Sequence, residues 1–399
     1  MFAGVPVQGT TREGDLRPPS VNNSLSELET PCLVLDEPRM ERNIERLKRH
    51  LHRLGVPLRP HVKTAKCAEV VQRMLQRPGG PITVSTLKEA EQFAAIGLRD
   101  ILYAVGIEPG KLTRVAALRR QGVDLCVILD SLEQAQAVAA AARATNDRIP
   151  ALIELDPDGH RAGVAPRAPR LVQIGAALIS GGAELRGVMT HSGGSYSCRG
   201  GDQLSAAAER ERSAAVGSAE MLRAAGMPCP VVSVGSTPAA LSARDLTGVT
   251  EVRAGVFVFF DLVMAGIGVC AIDDIAISVL ASVIGHQRQR GQILVDAGWT
   301  ALSRDRGTAD QPVDQGYGLV CDQAGRVLTD CIVTAVNQEH GIISLRPGSG
   351  APLPELPVGA RVRILPNHAC ATATQHGEYA VVGADPERVA AVWRRFSGW

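Results

Sequence analysis

The chain predicts an α/β fold, a (β/α)8 TIM barrel followed by a smaller β domain, and three observations predict it. Eight short apolar runs, at residues 58–63, 82–86, 101–105, 125–130, 151–156, 185–191, 231–236 and 251–256, alternate with stretches of helical apolar spacing such as 87–96, 132–144 and 206–225. Strand–helix alternation implies a parallel sheet, and eight strands over roughly 230 residues match a barrel in number and length. Past Gly266 the pattern changes to strand-like runs at 275–287, 293–297, 317–322, 331–346, 362–365 and 379–382, with Gly, Pro and Asp between them. Finally, hydrophobic residues make up 45% of the 399 and aromatics only 3%. A core of Ala, Val, Leu and Ile suits helices packed on branched strands better than an aromatic-rich sandwich.

Taken in order, residues 1–28 form a polar leader without an apolar signal core. Residues 29–264 are expected to be the barrel domain, with 32–36 as a strand leading into a helix at 40–54 ahead of the eight repeats. Residues 265–399 are the β domain, with a proline-rich loop at 346–358 and a short closing helix around 386–395. Lys plus Arg number 42 and Asp plus Glu 41, a net charge of +1 that leaves no electrostatic footprint for nucleic acid or a membrane surface. No apolar run reaches transmembrane length. Nine cysteines without a CxxC pair suggest reduced thiols and a cytoplasmic location.

Reactive groups in a barrel belong at the carboxyl ends of its strands. Lys63 closes the first run, Arg59-Pro-His-Val-Lys63, and alternation puts Arg59, His61 and Lys63 on one face. A lysine facing the barrel interior is costly unless paired or used covalently as a nucleophile, although a strand-end lysine can also snorkel to solvent. Gly235-Ser236-Thr237-Pro238 and Arg253-Ala254-Gly255-Val256 follow the seventh and eighth strands, where small residues and hydroxyls can hold a phosphate; an ordinary turn is the plainer reading. Asp156-Pro-Asp158-Gly-His160-Arg161 and His191-Ser-Gly-Gly-Ser195-Tyr196 end the fifth and sixth, where an Arg or His can serve a planar cofactor; the plainer reading pairs Arg161 with Asp156 or Asp158, and the two are compatible. In the β domain, His368-Ala-Cys370 on an extended segment points an imidazole and a thiolate to one side. Both are zinc ligands, with His376 and His340 as possible additions.

These residues, with Thr30-Pro-Cys-Leu-Val-Leu-Asp36 and Thr83-Val-Ser-Thr-Leu-Lys-Glu-Ala-Glu91, resemble the D-serine dehydratase/D-threonine aldolase group of fold-type III pyridoxal-phosphate enzymes, related to alanine racemase. The resemblance runs from about residue 28 to the C-terminus. It implies an alanine racemase-like C-terminal β domain, pyridoxal 5'-phosphate on Lys63, and phosphate binding by Ser236, Thr237, Gly255 and Val256. Arg161 and Tyr196 would lie near the ring or substrate, and Arg253 would stand where the racemases contact the pyridine nitrogen. His368 and Cys370 would hold a divalent metal, zinc above magnesium or manganese, because thiolate favours the softer ion. Aldolase relatives tend to carry Asp at the position of Cys370, so the thiolate favours dehydration. The expected reaction turns a 3-hydroxy-D-amino acid into a 2-oxo acid and ammonia, hydroxyaspartate giving oxaloacetate and D-serine pyruvate. Arg59, Arg304 and Arg306 are candidates for the distal carboxylate. The alternatives are retro-aldol cleavage, racemisation with Tyr317 as second base, and a non-catalytic cofactor carrier, for which a second domain and a metal pair are superfluous. A homodimer follows from the same resemblance.

Overall fold

The computed structural model describes residues 23–159 and 161–399, so most of the expected leader, and His160, lie outside the described residues. Strands β1 (Cys32–Asp36), β2 (Leu58–Pro60), β3 (Ile82–Val84), β4 (Asp100–Gly106), β5 (Asp124–Leu129), β6 (Pro150–Leu155), β7 (Glu184–Thr190), β8 (Val231–Val234) and β9 (Glu251–Ala254) make up the first part of the chain. Eight of them, β2 to β9, form one parallel sheet in the order β2-β9-β8-β7-β6-β5-β4-β3, and a parallel bridge between His61 and Thr83 closes it. The expected eight-stranded barrel is present.

The barrel is filled from two sides. Leu102, Cys126, Ile128, Leu152 and Met189 point inward as one small buried cluster. The alternate positions, such as Ile101, Tyr103, Val127 and Ile153, pack outward against the helices. The floor of the barrel is polar: Arg59 donates to Glu251 and Asp100, both at 2.7 Å. Ser233 Oγ donates to Glu251 and accepts from Arg253 Nε at 2.8 Å. Arg59 therefore spends its charge inside the barrel, where each buried ion has a partner.

The rest of the chain supplies β10 (Ile277–Gln287), β11 (Gln292–Val295), β12 (Leu319–Asp322), β13 (Val327–Val336), β14 (Gly341–Leu345), β15 (Arg361–Leu365), β16 (Glu378–Val382) and β17 (Val389–Arg394). The second sheet runs β11-β14-β13-β12-β15-β10-β1-β16-β17, and a β10–β11 pairing closes six of its strands into a small barrel.

The strand expected at 32–36 is present as β1 and leads into the helix Glu37–Arg53; it pairs in this second sheet, antiparallel to β10 and parallel to β16. One expectation is corrected. The closing helix expected at 386–395 is strand β17, antiparallel to β16, with Val389 and Trp393 buried. β-Branched and aromatic side chains there gain more from pairing with β16 than from local helix formation.

Candidate active site

One cavity of about 440 Å³ opens at the carboxyl ends of the barrel strands, where the β domain covers them. Lys63, Arg161, Tyr196, Ser236, Thr237, Arg253, Gly255, Val256, His368 and Cys370 all line it.

The lysine sits one turn later than strand alternation placed it. Pairing with β9 ends at Pro60, His61 N still bonds Ala254 O at 2.7 Å, and Lys63 lies in the turn that follows. Its side chain is exposed to the cavity, while Val62, Thr64 and Ala65 on either side are buried.

Across the cavity, Ser236 caps the short helix Thr237–Ser242, its Oγ accepting from Ala239 N at 3.2 Å and meeting Ser195 Oγ at 2.9 Å. Thr237 Oγ1 accepts from Phe257 N at 3.1 Å, tying this loop to the one after β9 and leaving its own proton to donate. Gly235 holds φ +141°, and a Cβ there would lie 2.0 Å from Arg253 O. A Cβ on Gly255 would lie 2.9 Å from His61 O and 3.2 Å from Thr64 Oγ1. Only glycine lets these two loops and the Lys63 turn approach so closely. Underneath, the buried Glu211 carboxylate accepts from Thr190 Oγ1 at 2.6 Å and Gly235 N at 3.0 Å. Burial lifts its pKa, against the pull of those donors.

Arg253 is buried, donating to Ser233 Oγ and to Thr190 O. Arg161 pairs with neither Asp156 nor Asp158 through its guanidinium, which instead lies 3.3 Å from buried Glu154; its backbone N–H donates to Asp156. His191 stands 6.2 Å from the Tyr196 ring, with Nδ1 3.2 Å from Gly235 O. Burial, reinforced by the charge of Lys63, lowers His191 to about 3 and His61 well below its ordinary value, so both are neutral imidazoles at pH 7. Burial likewise pushes the Tyr196 phenol up.

The His–Cys pair is not on an extended segment. His368 is the extended N-cap of the helix Ala369–Ala373, and Cys370 lies in its first turn, because the Ala-Cys-Ala-Thr-Ala run favours a helix once Asp261 Oδ2 accepts the Ala369 N–H at 2.9 Å. His368 Nδ1 meets Asp305 Oδ2 at 2.8 Å, and Cys370 Sγ lies 3.1 Å from Thr64 Oγ1. Burial would raise the Cys370 thiol, but the hydrogen bond and charge of His368, with Lys63 and Thr64, bring it below its ordinary value. Burial would lower His368, yet Asp305 and Cys370 hold it at about 11. The arrangement stabilises a thiolate facing a cationic partner, a place a divalent ion can take over. Among the described residues no group of three or more His, Cys, Asp or Glu is placed to hold a metal ion. His376 Nε2 bonds Ala301 O at 3.0 Å, and His340 is exposed in the β13–β14 turn, so neither joins the pair.

The other sequence candidates lie elsewhere. Arg304 stacks on Trp299 at 4.5 Å, and Arg306 stacks on Tyr317 at 5.0 Å while pairing with Asp314 at 2.6 Å. None of Arg59, Arg304, Arg306 and Tyr317 lines the cavity. Sequence reading missed Thr64, Asp261 and Asp305, which also line the cavity, and Glu211, which bonds the Gly235 loop from below.

A barrel with a lysine after its first strand, a hydroxyl and glycine cradle after its last two, and a β domain closing the mouth defines an enzyme of the alanine racemase fold. The chain belongs to the alanine racemase N-terminal domain family, which matches residues 35–263, and residues 276–382 match a serine dehydratase domain. It is 53% identical to D-threo-3-hydroxyaspartate dehydratase of Delftia sp., over 95% of this chain and all of that one. The structure of that enzyme superposes with a TM-score of 0.91 over 94% of this chain and 100% of that one. A D-serine dehydratase of Dictyostelium discoideum is 29% identical over 91% of this chain and 96% of its own length. A D-threonine aldolase of Arthrobacter sp. is 27% identical, with 92% of each chain covered. A cysteine-to-alanine variant of a D-threo-3-hydroxyaspartate dehydratase, 52% identical to this chain, has been solved in a metal-free form. Among the described residues no helix is long and apolar enough to cross a membrane.

Proposed function

We propose that this chain is a pyridoxal-phosphate- and divalent-metal-dependent dehydratase of 3-hydroxy-D-amino acids. D-threo-3-hydroxyaspartate is the principal substrate, yielding oxaloacetate and ammonia, and D-serine, yielding pyruvate, is a second. One observation carries the reading: a single cavity is faced by a lysine amine and by a His–Cys pair backed by a carboxylate. The residues fit both groups. The glycine cradle that a Cβ would fill, together with the Ser236 and Thr237 hydroxyls, suits a phosphate, and beside the cavity His61 Nδ1 is a buried ring nitrogen without a hydrogen-bond partner among the described residues. Imidazole nitrogen and thiolate sulfur with open positions suit a catalytic zinc.

When bound, pyridoxal phosphate supplies the electron sink that acidifies the substrate Cα–H, and the metal supplies the Lewis acidity that a hydroxyl leaving group needs. The chain's own residues do the rest. Lys63 would hold the cofactor and carry the Cα proton on its Nζ. Ser236, Thr237 and the Gly255 and Val256 amides would take the phosphate, and Arg161, Tyr196 and Arg253 would border the ring and substrate. Neutral His61 and His191 keep the barrel side of the cavity free of further positive charge. His368 and Cys370 would hold the ion, and Asp305, bonded to His368 Nδ1, orients the imidazole and leaves Nε2 free.

Zinc, a homodimer and a cytosolic location complete the proposal, supported by the thiolate ligand, the family resemblance and nine free thiols. The test is an assay of the purified protein on D-threo-3-hydroxyaspartate, D-serine and D-threonine, with and without a chelator. Ammonia and a 2-oxo acid, lost on chelation, are expected from the first two. Glycine and an aldehyde as products would overturn the dehydration reading in favour of retro-aldol cleavage.

A further inference from the structure

Arg395 lies just past β17 and is half-buried, and its guanidinium donates to oxygens on both sides of the site. On the barrel side, Nε donates to Ala65 O at 3.1 Å and Nη2 to Thr64 O at 3.5 Å, the two carbonyls directly after Lys63. On the β-domain side, Nη1 donates to Ala373 O and to His376 O at 2.8 Å, at the carboxyl end of the helix that carries Cys370. Tyr379 Oη receives a bond from Nε at 2.9 Å and itself donates to Ala65 O at 2.8 Å. The chain then continues along the same turn, with Phe396 N donating to Lys66 O at 2.6 Å and the Phe396 ring 5.1 Å from Phe93.

We infer that Arg395 is the positioning residue that sets the Lys63 turn against the Cys370 helix. The amine and the metal ligand come from different domains, and the substrate needs both at one carbon pair. The contact that joins them directly, Thr64 Oγ1 with Cys370 Sγ, is one hydrogen bond to sulfur, too weak to hold a reacting geometry alone. Arg395 supplies what that contact lacks: a rigid planar fork bridging two backbone segments, with its charge at the carbonyl end of the helix where a cation is favoured. Its donors go to carbonyls and a phenol, and among the described residues it pairs with no carboxylate in a salt bridge. Because the guanidinium touches only the segments on which the reacting groups are mounted, its removal should move the site apart while leaving each half folded.

The inference rests on the dehydratase reading for its kinetic arm and on zinc binding for its independent arm. Arg395→Met is compared with Arg361→Met, whose guanidinium ties Leu28 O and Ser282 of the second sheet and touches nothing in the cavity. For Arg395→Met we expect kcat on D-threo-3-hydroxyaspartate to fall about 10²-fold, the loss an ångström-scale displacement brings. The zinc dissociation constant, read by competition with a chelating dye, should rise about 10-fold or more, as for other outer contacts of a metal site. Arg361→Met should lower the melting temperature with kcat and zinc affinity within about twofold of the parent. Arg395→Lys keeps the charge but not the fork and should resemble Arg395→Met. The inference fails if Arg395→Met keeps its zinc affinity, if Arg361→Met shows the same losses, or if Arg395→Lys is fully active. Should the parent protein show no dehydratase activity, the zinc arm still decides the role of Arg395, and the failure lies with the functional reading.

Discussion

Asp305 stands behind His368 as a carboxylate stands behind a metal-bound imidazole, fixing which ring nitrogen is free. Asp305→Asn is therefore expected to weaken metal binding about 10- to 100-fold with little change in melting temperature, measurable by dye competition. Lys63→Ala should lower kcat by about 10² to 10⁴, the range for loss of a positioned proton-transfer group, and abolish the visible absorbance of the bound cofactor. Undiminished absorbance in that variant would remove Lys63 from its proposed role. At this scale the sequence was informative where chemistry sits in a compact motif. Ser236 and Thr237 stand between a glycine and a proline, His368 and Cys370 stand two residues apart, and these four line the cavity with Lys63 and Gly255. Asp305 sits in a run of polar residues, 63 positions before the histidine it orients, and no periodicity links the two. Only the folding of the second domain, which carries both residues, brings them together.

Between elements, one close constraint is where the loop after β9 meets the Lys63 turn. Gly255→Ala places a methyl 2.9 Å from a backbone oxygen, which cannot swing away as a side chain could. The cost should be about 1–3 kcal/mol, and the displaced turn should loosen cofactor retention, checked by thermal melting and by dialysis followed by absorbance. Retention equal to the parent would show that the two loops are free to separate. The strands and helices of the barrel were legible because each repeats a two-residue or 3.6-residue apolar period. β17 was not: Val389, Ala390, Ala391, Val392, Trp393 and Arg394 follow a Pro and a Glu that read as a helix start, and only the edge of β16 decides the outcome. β1 was correctly read as a strand, but strand character does not reveal which sheet receives it.

For the molecule as a whole, acid is the condition that bears on the site. His61 and His191 are held neutral in the folded state, whereas in the unfolded chain they take up protons near pH 6.5. The unfolded state thus binds more protons as pH drops from 6.5 towards 3, and their contribution to stability falls across that window. Buried Glu154 and Glu211, whose pKa burial raises, act in the opposite sense. The histidine contribution is therefore isolated by comparison: His191→Asn should show a shallower decline in melting temperature between pH 6.5 and 3 than the parent, and parallel curves would refute it. One further consequence follows from β1. It pairs with β10 at Cys32↔Leu280 and with β16 at Val34↔Ala380, so the barrel is in effect inserted into the second domain. On the ribosome, β1 emerges roughly ten to fifty seconds before its first partner strand. For that interval an apolar segment must wait beside a barrel that is already assembling. Nascent chains halted before β10 should therefore recruit holdase chaperones through β1, and charged substitutions at Val34 should weaken that recruitment.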